Sequence, residues 1–155
     1  MTETATEAMD PDELARACAA KMAETDSSQA GMGIELVEVG AGRSVLRMKV
    51  APWMVNGYLL CHGGLIFTLA DSAFAYACNT YNRQTVAQMC NITFVAPAKQ
   101  GDVLTARAQE KARFGRSGVY DVTVTDQDGR TIAEFRGNSR NLPGPILDAP
   151  APAGA

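Results

Sequence analysis

The chain has 155 residues, 46% of them hydrophobic and 20% charged, which suits one folded domain with a sizeable core and does not require a second. Its formal net charge of −3 and its sequence pI near 5.1 argue against nucleic acid or an anionic membrane as the main partner. The sequence contains no secretory signal peptide and no run of about 18 apolar residues, so a cytoplasmic protein is expected.

The cysteines and the single histidine do not form a metal-binding pattern. No C-x-x-C pair occurs among the four cysteines, and one histidine cannot complete a zinc set of ordinary spacing. We therefore expect reduced thiols and no metal site, and no cofactor is expected beside the substrate. The cysteines are Cys18, Cys61, Cys78 and Cys90.

The first predicted element is a helix. Residues 1–9 have no hydrophobic periodicity and are expected to be disordered. A helix then runs from Asp10 to about Glu24, because Pro11 and an acidic first turn favour a helix start. It is expected to cover the core with residues at i, i+4 spacing, which are Leu14, Cys18 and Met22.

Alternating apolar and polar residues predict about six strands after this helix, separated by turns rich in glycine and aspartate. A long helix from Gly63 to about Asn79, apolar nearly all round, lies between the second and third strands and is expected to be buried. The fold class is therefore α+β, an antiparallel sheet around one central helix, in a single domain over residues 10–141 with a flexible tail over 142–155. The predicted strands are Gly33–Val39, Arg43–Val50, Val86–Val95, Val103–Ala112, Ser117–Thr125 and Thr131–Asn141.

The start of the long helix carries the strongest functional signal. Gly63 and Gly64 let a ligand approach the backbone closely, and the N–H groups of a first helical turn suit an oxygen that becomes negative. Asp71 is the only charged residue between Gly63 and Cys78, and its helical neighbours are mostly apolar. Desolvation raises the pKa of such a carboxyl group and its basicity, which is typical of a catalytic residue.

The spacing between these two features predicts an oligomer. Eight helical residues separate Gly63 from Asp71, which corresponds to about 12 Å along the axis. A reacting carbonyl needs its oxyanion donor and its base or nucleophile within roughly 3 Å each. If both act on one substrate, Asp71 must meet Gly63 of another copy, so a homodimer with shared active sites is expected.

The same region resembles the PaaI-type phenylacetyl-CoA thioesterases of the hotdog-fold superfamily. The resemblance extends from about Gly33 to Arg140 and implies a hotdog fold, in which two subunits join their sheets and commonly assemble further into tetramers. The segments that carry it are Asn56-Gly57, Cys61-His62-Gly63-Gly64 and Leu69-Ala70-Asp71-Ser72-Ala73-Phe74-Ala75-Tyr76-Ala77-Cys78-Asn79.

Transferred by position, the resemblance implies that the Gly63 N–H binds the thioester carbonyl and that Asp71 of the partner subunit performs the chemistry. His62 and Asn56 would help to place substrate and water. Whether Asp71 acts as nucleophile or as general base stays open. Some related thioesterases place a serine or threonine on the strand after the helix to orient the water; near that place this chain has Ala87, with Asn91 and Thr93 nearby.

The substrate implied is an acyl-CoA, in which coenzyme A is part of the substrate. Its phosphates need cations, and the candidates lie around a predicted turn and on the last strand: Lys111, Arg113, Arg116, Arg136 and Arg140. An aryl-acetyl group would enter beside Gly64 among large side chains, which are Phe67, Phe74, Tyr58, Trp53 and Met54. These basic residues are equally typical of a solvated surface, and the aromatic ones of a core.

Two alternatives stay open beside an acyl-CoA thioesterase. One is a hotdog-fold dehydratase or hydratase acting on acyl thioesters, for which His62 could serve. The other is an acyl-CoA-binding module without catalysis, against which Asp71 argues. Release of free thiol from acyl-CoA esters distinguishes the three.

Overall fold

The computed structural model describes residues 9–148, and its elements follow the predicted order closely. The first helix, α1 (Pro11–Ala23), is capped by the Asp10 carboxylate, which accepts hydrogen bonds from the N–H groups of Asp12 and Glu13. Residues 1–8 and 149–155 lie outside the described part, and with them lie most of the N-terminus predicted to be disordered and half of the predicted tail. The domain limits stay predictions.

The remaining elements agree with the predicted ones to within one or two residues at each end. The exceptions are a short helix, α2 (Ser27–Met32), and a 3₁₀ turn over Pro52–Met54, neither of which was predicted. The long helix is α3 (Gly63–Cys78). The strands are β1 (Ile34–Gly40), β2 (Arg43–Lys49), β3 (Thr85–Phe94), β4 (Val103–Phe114), β5 (Ser117–Thr125) and β6 (Thr131–Asn141).

The six strands form one antiparallel sheet in the order β1-β2-β4-β5-β6-β3. Sequential strands pair except at β3, which crosses over to pair with β6 and so becomes an edge of the sheet. The predicted glycine and aspartate turns join β1 to β2, β4 to β5 and β5 to β6. This arrangement, with α3 against one face of the sheet, is the α+β architecture expected from the sequence.

Small residues let α3 lie close to the sheet. Ala70, Ala73 and Ala77 are fully buried, and the carbonyl of Ala73 accepts a hydrogen bond of 2.6 Å from the Ser44 hydroxyl on β2. On the sheet side Gly137 has no side chain, which leaves room for the ring of Phe74. The core therefore consists of one face of α3 and the inner face of the sheet.

The C-terminal end of α3 is tied to the start of β3. The Asn79 side-chain amide donates to the carbonyls of Ala75 and Thr85, and its oxygen accepts a hydrogen bond of 2.9 Å from the Thr85 N–H. These bonds fix the position at which β3 begins relative to the helix. Each side chain of β3 therefore lies opposite a defined residue position of α3.

Candidate active site

The N-terminus of α3 presents one unpaired backbone donor. His62 caps the helix, and its Nδ1 accepts a hydrogen bond of 3.2 Å from the Gly64 N–H, so the neutral ring carries its proton on Nε2. The N–H groups of Leu65 and Ile66 both point to the His62 carbonyl. Within residues 9–148 the Gly63 N–H makes no hydrogen bond. It is therefore available to a ligand oxygen at the positive end of the helix dipole.

Asn56 shapes the loop that faces this helix start. Its Oδ1 accepts hydrogen bonds from the N–H groups of Tyr58 (2.9 Å) and Leu60 (3.2 Å), and Leu59 adopts a positive φ of 61° in the same turn. The side-chain NH₂ of Asn56 makes no hydrogen bond within the described part of the chain. Asn56 thus holds the loop with its oxygen and keeps its amide donor available.

A cleft of about 320 Å³ lies between this loop and the segment that follows β3. Asn56 and Gly63 line one side, and Phe94 lines the other. The Phe94 ring covers Gly63 so closely that a Cβ on residue 63 would lie 2.9 Å from its Cζ. The Gly63 N–H, predicted to bind the thioester carbonyl, and the Asn56 side chain, predicted to help place substrate and water, therefore line the same cleft.

Asp71 lies two turns further along α3, so the structure keeps it apart from Gly63 within one protomer, as the spacing predicted. Its carboxylate is half-buried, and burial raises its pKa above that of an ordinary aspartate. It makes no ion pair with any described residue, and its one hydrogen-bond contact is with the Cys90 Sγ on β3, at 3.9 Å. Asp71 is therefore a lone, partly desolvated carboxylate.

The edge strand β3 beside Asp71 is exposed for most of its length. Met89 and Phe94 are 52% and 51% exposed, and Val86 and Val95 at its two ends are also open to solvent. Since β3 pairs only with β6 among residues 9–148, its other edge offers unpaired N–H and C=O groups. An apolar edge of this kind is a template for pairing with another strand.

The predicted phosphate-binding residues lie far from the cleft of the same protomer. Three of them surround the turn of the β4–β5 hairpin, which lies near the start of β3: Lys111, Arg113 and Arg116. The cleft lies at the other end of β3. Ten residues of β3 correspond to about 30 Å.

Several of these cations already have partners in the protomer. Arg113 is 3.5 Å from the Glu110 carboxylate and lies over the Tyr81 ring, at 3.8 Å from its centroid. Arg116 donates to the carbonyl of Asn141. Arg136 forms a two-point ion pair with Asp121, and Arg140 is exposed. A phosphate-binding role stays a prediction for all of them.

The predicted acyl-binding residues fall into two groups. Phe74 and Met54 are core residues, each 1% exposed, and Phe74 packs against the rings of Tyr120 and Phe135. Phe67 is half-buried, while Tyr58 is 86% exposed and Trp53 is also open to solvent. Burial of Phe74 and Met54 favours a packing role, so the protomer alone brings no aromatic acyl pocket together from this set.

The strand after the helix differs from the predicted alternation. A bulge between Ala87 and Met89 inserts one residue, so Cys90 joins the face towards α3. Asn91 and Thr93 pair with Arg136 and Glu134 and lie on the opposite face. Neither can reach Asp71 in the protomer, and Cys90, which the sequence analysis did not single out, takes the place beside it.

The chain matches known thioesterases over most of its length. The thioesterase superfamily model matches residues 59–133. Acyl-coenzyme A thioesterase PaaI of Escherichia coli is 42% identical over 125 residues, which cover 81% of this chain and 89% of that protein. The chain belongs to the PaaI-type thioesterase family. It is therefore an enzyme of the thioester-hydrolase class with the hotdog fold.

Solved structures agree with this assignment. The structure of the E. coli PaaI protein from the phenylacetic acid degradation operon has a TM-score of 0.86 and 40% identity, covering 88% of this chain and 99% of that one. A hypothetical thioesterase from Streptococcus pneumoniae, solved with coenzyme A, has a TM-score of 0.69 and 26% identity over 72% of this chain and 87% of that one. Acyl-CoA thioesters are thus the substrate class of the family.

No helix among residues 9–148 is long and apolar enough to cross a bilayer. Over the same residues, no group of three or more histidine, cysteine, aspartate or glutamate side chains is placed to hold a metal ion.

Proposed function

We propose that the protein hydrolyses arylacetyl-CoA thioesters of the phenylacetyl type in active sites shared between two copies of the chain. The observation that carries this proposal is the separation of an unpaired Gly63 N–H from a lone Asp71 carboxylate by two turns of one helix. The arylacetyl group is supported by the E. coli relative, whose operon degrades phenylacetic acid.

The shared site is supported by the geometry of β3. If the exposed edges of two β3 strands pair antiparallel, the start of one strand lies beside the end of the other. The partner's hairpin cations and its Asp71 then approach the cleft around Gly63. The sheet becomes continuous across a two-fold axis, and two identical sites form per dimer. A further pairing of dimers into a tetramer belongs to this proposal.

The chemistry requires an ionised Asp71. As a nucleophile, its oxygen attacks the thioester carbonyl carbon, the C–S bond breaks, coenzyme A leaves as a thiolate, and water then hydrolyses the acyl-aspartate anhydride. As a general base, Asp71 removes a proton from water, the hydroxide attacks the carbonyl carbon, and the proton passes to the departing sulfur. In both routes the Gly63 N–H donates to the carbonyl oxygen as it becomes negative.

The bound coenzyme A in the S. pneumoniae relative supports the nature of the leaving group. Its phosphates would be met by Lys111, Arg113 and Arg116 of the partner hairpin. Of these, Arg116 donates to one backbone carbonyl among residues 9–148, so much of its donor capacity is open to a phosphate.

The first experiment measures thiol release from phenylacetyl-CoA, ring-hydroxylated phenylacetyl-CoA and benzoyl-CoA. Asp71→Asn should lower kcat by roughly 10²–10⁴-fold, because shape is kept and the base or nucleophile is lost. Asp128→Asn, at an exposed turn, is the matched control and should keep wild-type kcat. Full activity in Asp71→Asn would refute the mechanism, and binding or hydration without thiol release would favour one of the two alternative functions.

The second experiment tests whether sites are shared. Asp71→Asn protomers are mixed with Gly63→Pro protomers under conditions of demonstrated subunit exchange. Each mixed dimer then has one intact site, so a random mixture should recover about a quarter of wild-type activity. No recovery would mean that each protomer carries its own complete site.

The third experiment tests the assembly. Met89→Glu places a charge on the exposed face of β3, and a two-fold axis would bring two such charges together. We expect a smaller species by light scattering and parallel loss of activity. Val37→Glu makes the same change on β1, at the opposite edge of the sheet, and should leave the dimer intact. Equal behaviour of the two variants would exclude β3 as the interface.

A further inference from the structure

We propose that Cys90 is a positioning residue that holds the Asp71 carboxylate in its reactive orientation and sets the pH range in which it works. The proposal rests on the proposed role of Asp71 and adds to it a specific partner. It concerns a residue that neither touches the substrate cleft at Gly63 nor belongs to the motif at the helix start.

The contact itself is the first argument. Cys90 Sγ lies 3.9 Å from Asp71 Oδ1, and catalytic hydrogen bonds that are long in a free enzyme often shorten in the substrate complex. Among the described residues no other side chain and no backbone N–H donates to the Asp71 carboxylate. A carboxylate with a single neighbouring donor depends on that donor for its orientation.

The β3 bulge is the second, independent argument. Strict alternation from Ala87 would bring Met89 and Asn91 to the face towards α3. The extra residue between Ala87 and Met89 reverses the alternation, and Cys90, Ile92 and Phe94 face α3 instead. Bulges beside active sites commonly redirect one side chain, and here the redirected side chain is the one that meets Asp71.

Within residues 9–148, the Cys90 thiol is the side chain that hydrogen-bonds the Asp71 carboxylate. The titratable groups nearest to it are Cys90 on β3 and Cys78, two turns further along α3. No charged side chain from β2, β4, β5 or β6 within residues 9–148 forms an ion pair with it. The residues that face α3 here carry no charge: they are Phe135 and Gly137 on β6 and Tyr120 on β5.

The protonation states fit a thiol donor and a carboxylate acceptor. Burial, with the nearby Asp71 charge, raises the pKa of Cys90 to about 11, and burial raises the pKa of Cys78 to about 12. Both thiols therefore stay protonated at neutral pH. Burial raises the pKa of Asp71, and the Cys90 thiol opposes that increase by stabilising the ionised form. Cys90 thus keeps a desolvated carboxylate charged.

The test measures kcat/KM against pH in Cys90→Ala and Cys90→Ser. The quantity compared is the position of the acid limb, the pH range in which kcat/KM falls as Asp71 becomes protonated. Loss of the donor in Cys90→Ala should move the limb to higher pH by about half a unit and lower kcat about threefold to tenfold, since a thiol is a weak donor. Cys90→Ser supplies a stronger donor and should move the limb to or below its wild-type position. Cys18→Ala, a matched change in α1 far from the site, should leave the limb unchanged. Identical limbs in wild type and both Cys90 variants would overturn the proposal.

A second measurement is independent of catalysis. The Asp71 carboxyl carbon is titrated by NMR, with its signal identified by its loss in Asp71→Asn. Its midpoint should rise in Cys90→Ala and recover in Cys90→Ser. An unchanged midpoint would overturn the role of Cys90 even in an active enzyme. Absence of thiol release from every ester would instead remove the proposed function, while the titration would still decide whether the thiol and the carboxylate interact.

Discussion

Replacing Gly63 by proline removes the proposed oxyanion donor without removing the helix. Gly63 is the first residue of α3, the position at which proline is best tolerated, since its N–H has no partner within the helix. The preceding residue, His62, has φ −61° and ψ 130°, the extended conformation that a residue before proline requires. The backbone is therefore already shaped for Gly63→Pro.

The expected magnitude follows from the loss of one donor. Removal of a single oxyanion donor lowers kcat by about 10²–10³-fold, equivalent to about 2.7–4 kcal/mol of transition-state stabilisation. Gly63→Ala is the matched control, because it keeps the N–H and adds a Cβ. That Cβ would lie 2.9 Å from the Phe94 Cζ, the far end of a half-exposed side chain that can shift. We expect less than about a tenfold loss for alanine.

The assay is continuous thiol release, with kcat and KM measured separately and with circular dichroism and light scattering to verify fold and assembly. Gly63→Pro should lose kcat with little change in KM, because the donor acts mainly on the developing negative charge. A proline variant as active as the alanine variant would refute the assignment of the Gly63 N–H as oxyanion donor.

Three further outcomes are expected. Gly137→Ala should lower the free energy of unfolding by about 1–3 kcal/mol in urea titration, since its Cβ would lie 2.8 Å from carbons of the buried Phe74 ring; wild-type stability would show that the ring has room to move. The Arg136 guanidinium lowers the pKa of the Asp121 carboxyl, so the stability of their ion pair is complete above the ordinary pKa of about 3.9 and is lost as the pH falls through the lower folded value. Arg136→Gln should therefore lower the free energy of unfolding slightly at pH 6 and by less at pH 3, and a loss of stability that grows on acidification would contradict this sign. Burial raises the pKa of Asp71, which destabilises the fold when the group is ionised, so Asp71→Asn should unfold at an equal or higher temperature than wild type at pH 7; a large fall in Tm would mean that the charge is structural.

The local signals in the sequence were sufficient for most elements. The apolar run from Gly63 to Cys78 and the alternation of six strands predicted α3 and the sheet, because helix and strand periodicities are written directly in neighbouring residues. The short helix α2 was missed because six mostly small and polar residues, with Gly31 among them, have too few turns to show a period. The family was also readable from the segment between Asn56 and Asn79, and the comparisons confirmed it.

The candidate site was predictable only in part. The helix spacing alone separated Gly63 from Asp71, and the glycine pair marked the helix start. Burial of Phe74, however, depends on contacts with β5 and β6, far along the chain, and no local pattern distinguishes a core aromatic residue from one that lines a pocket.

The sequence by itself determined the long helix and the strands, the pattern of apolar and polar residues on each, and the family. It also determined that Asp71 has no charged neighbour on its helix. Only the tertiary structure decided that β3 crosses over to an edge beside β6, because strand order depends on pairings between distant residues. It also decided that Cys90, and not Asn91, lies beside Asp71. A single bulged residue reverses which side chains face the helix, and a bulge is a property of the hydrogen bonding between two strands, which no single strand encodes.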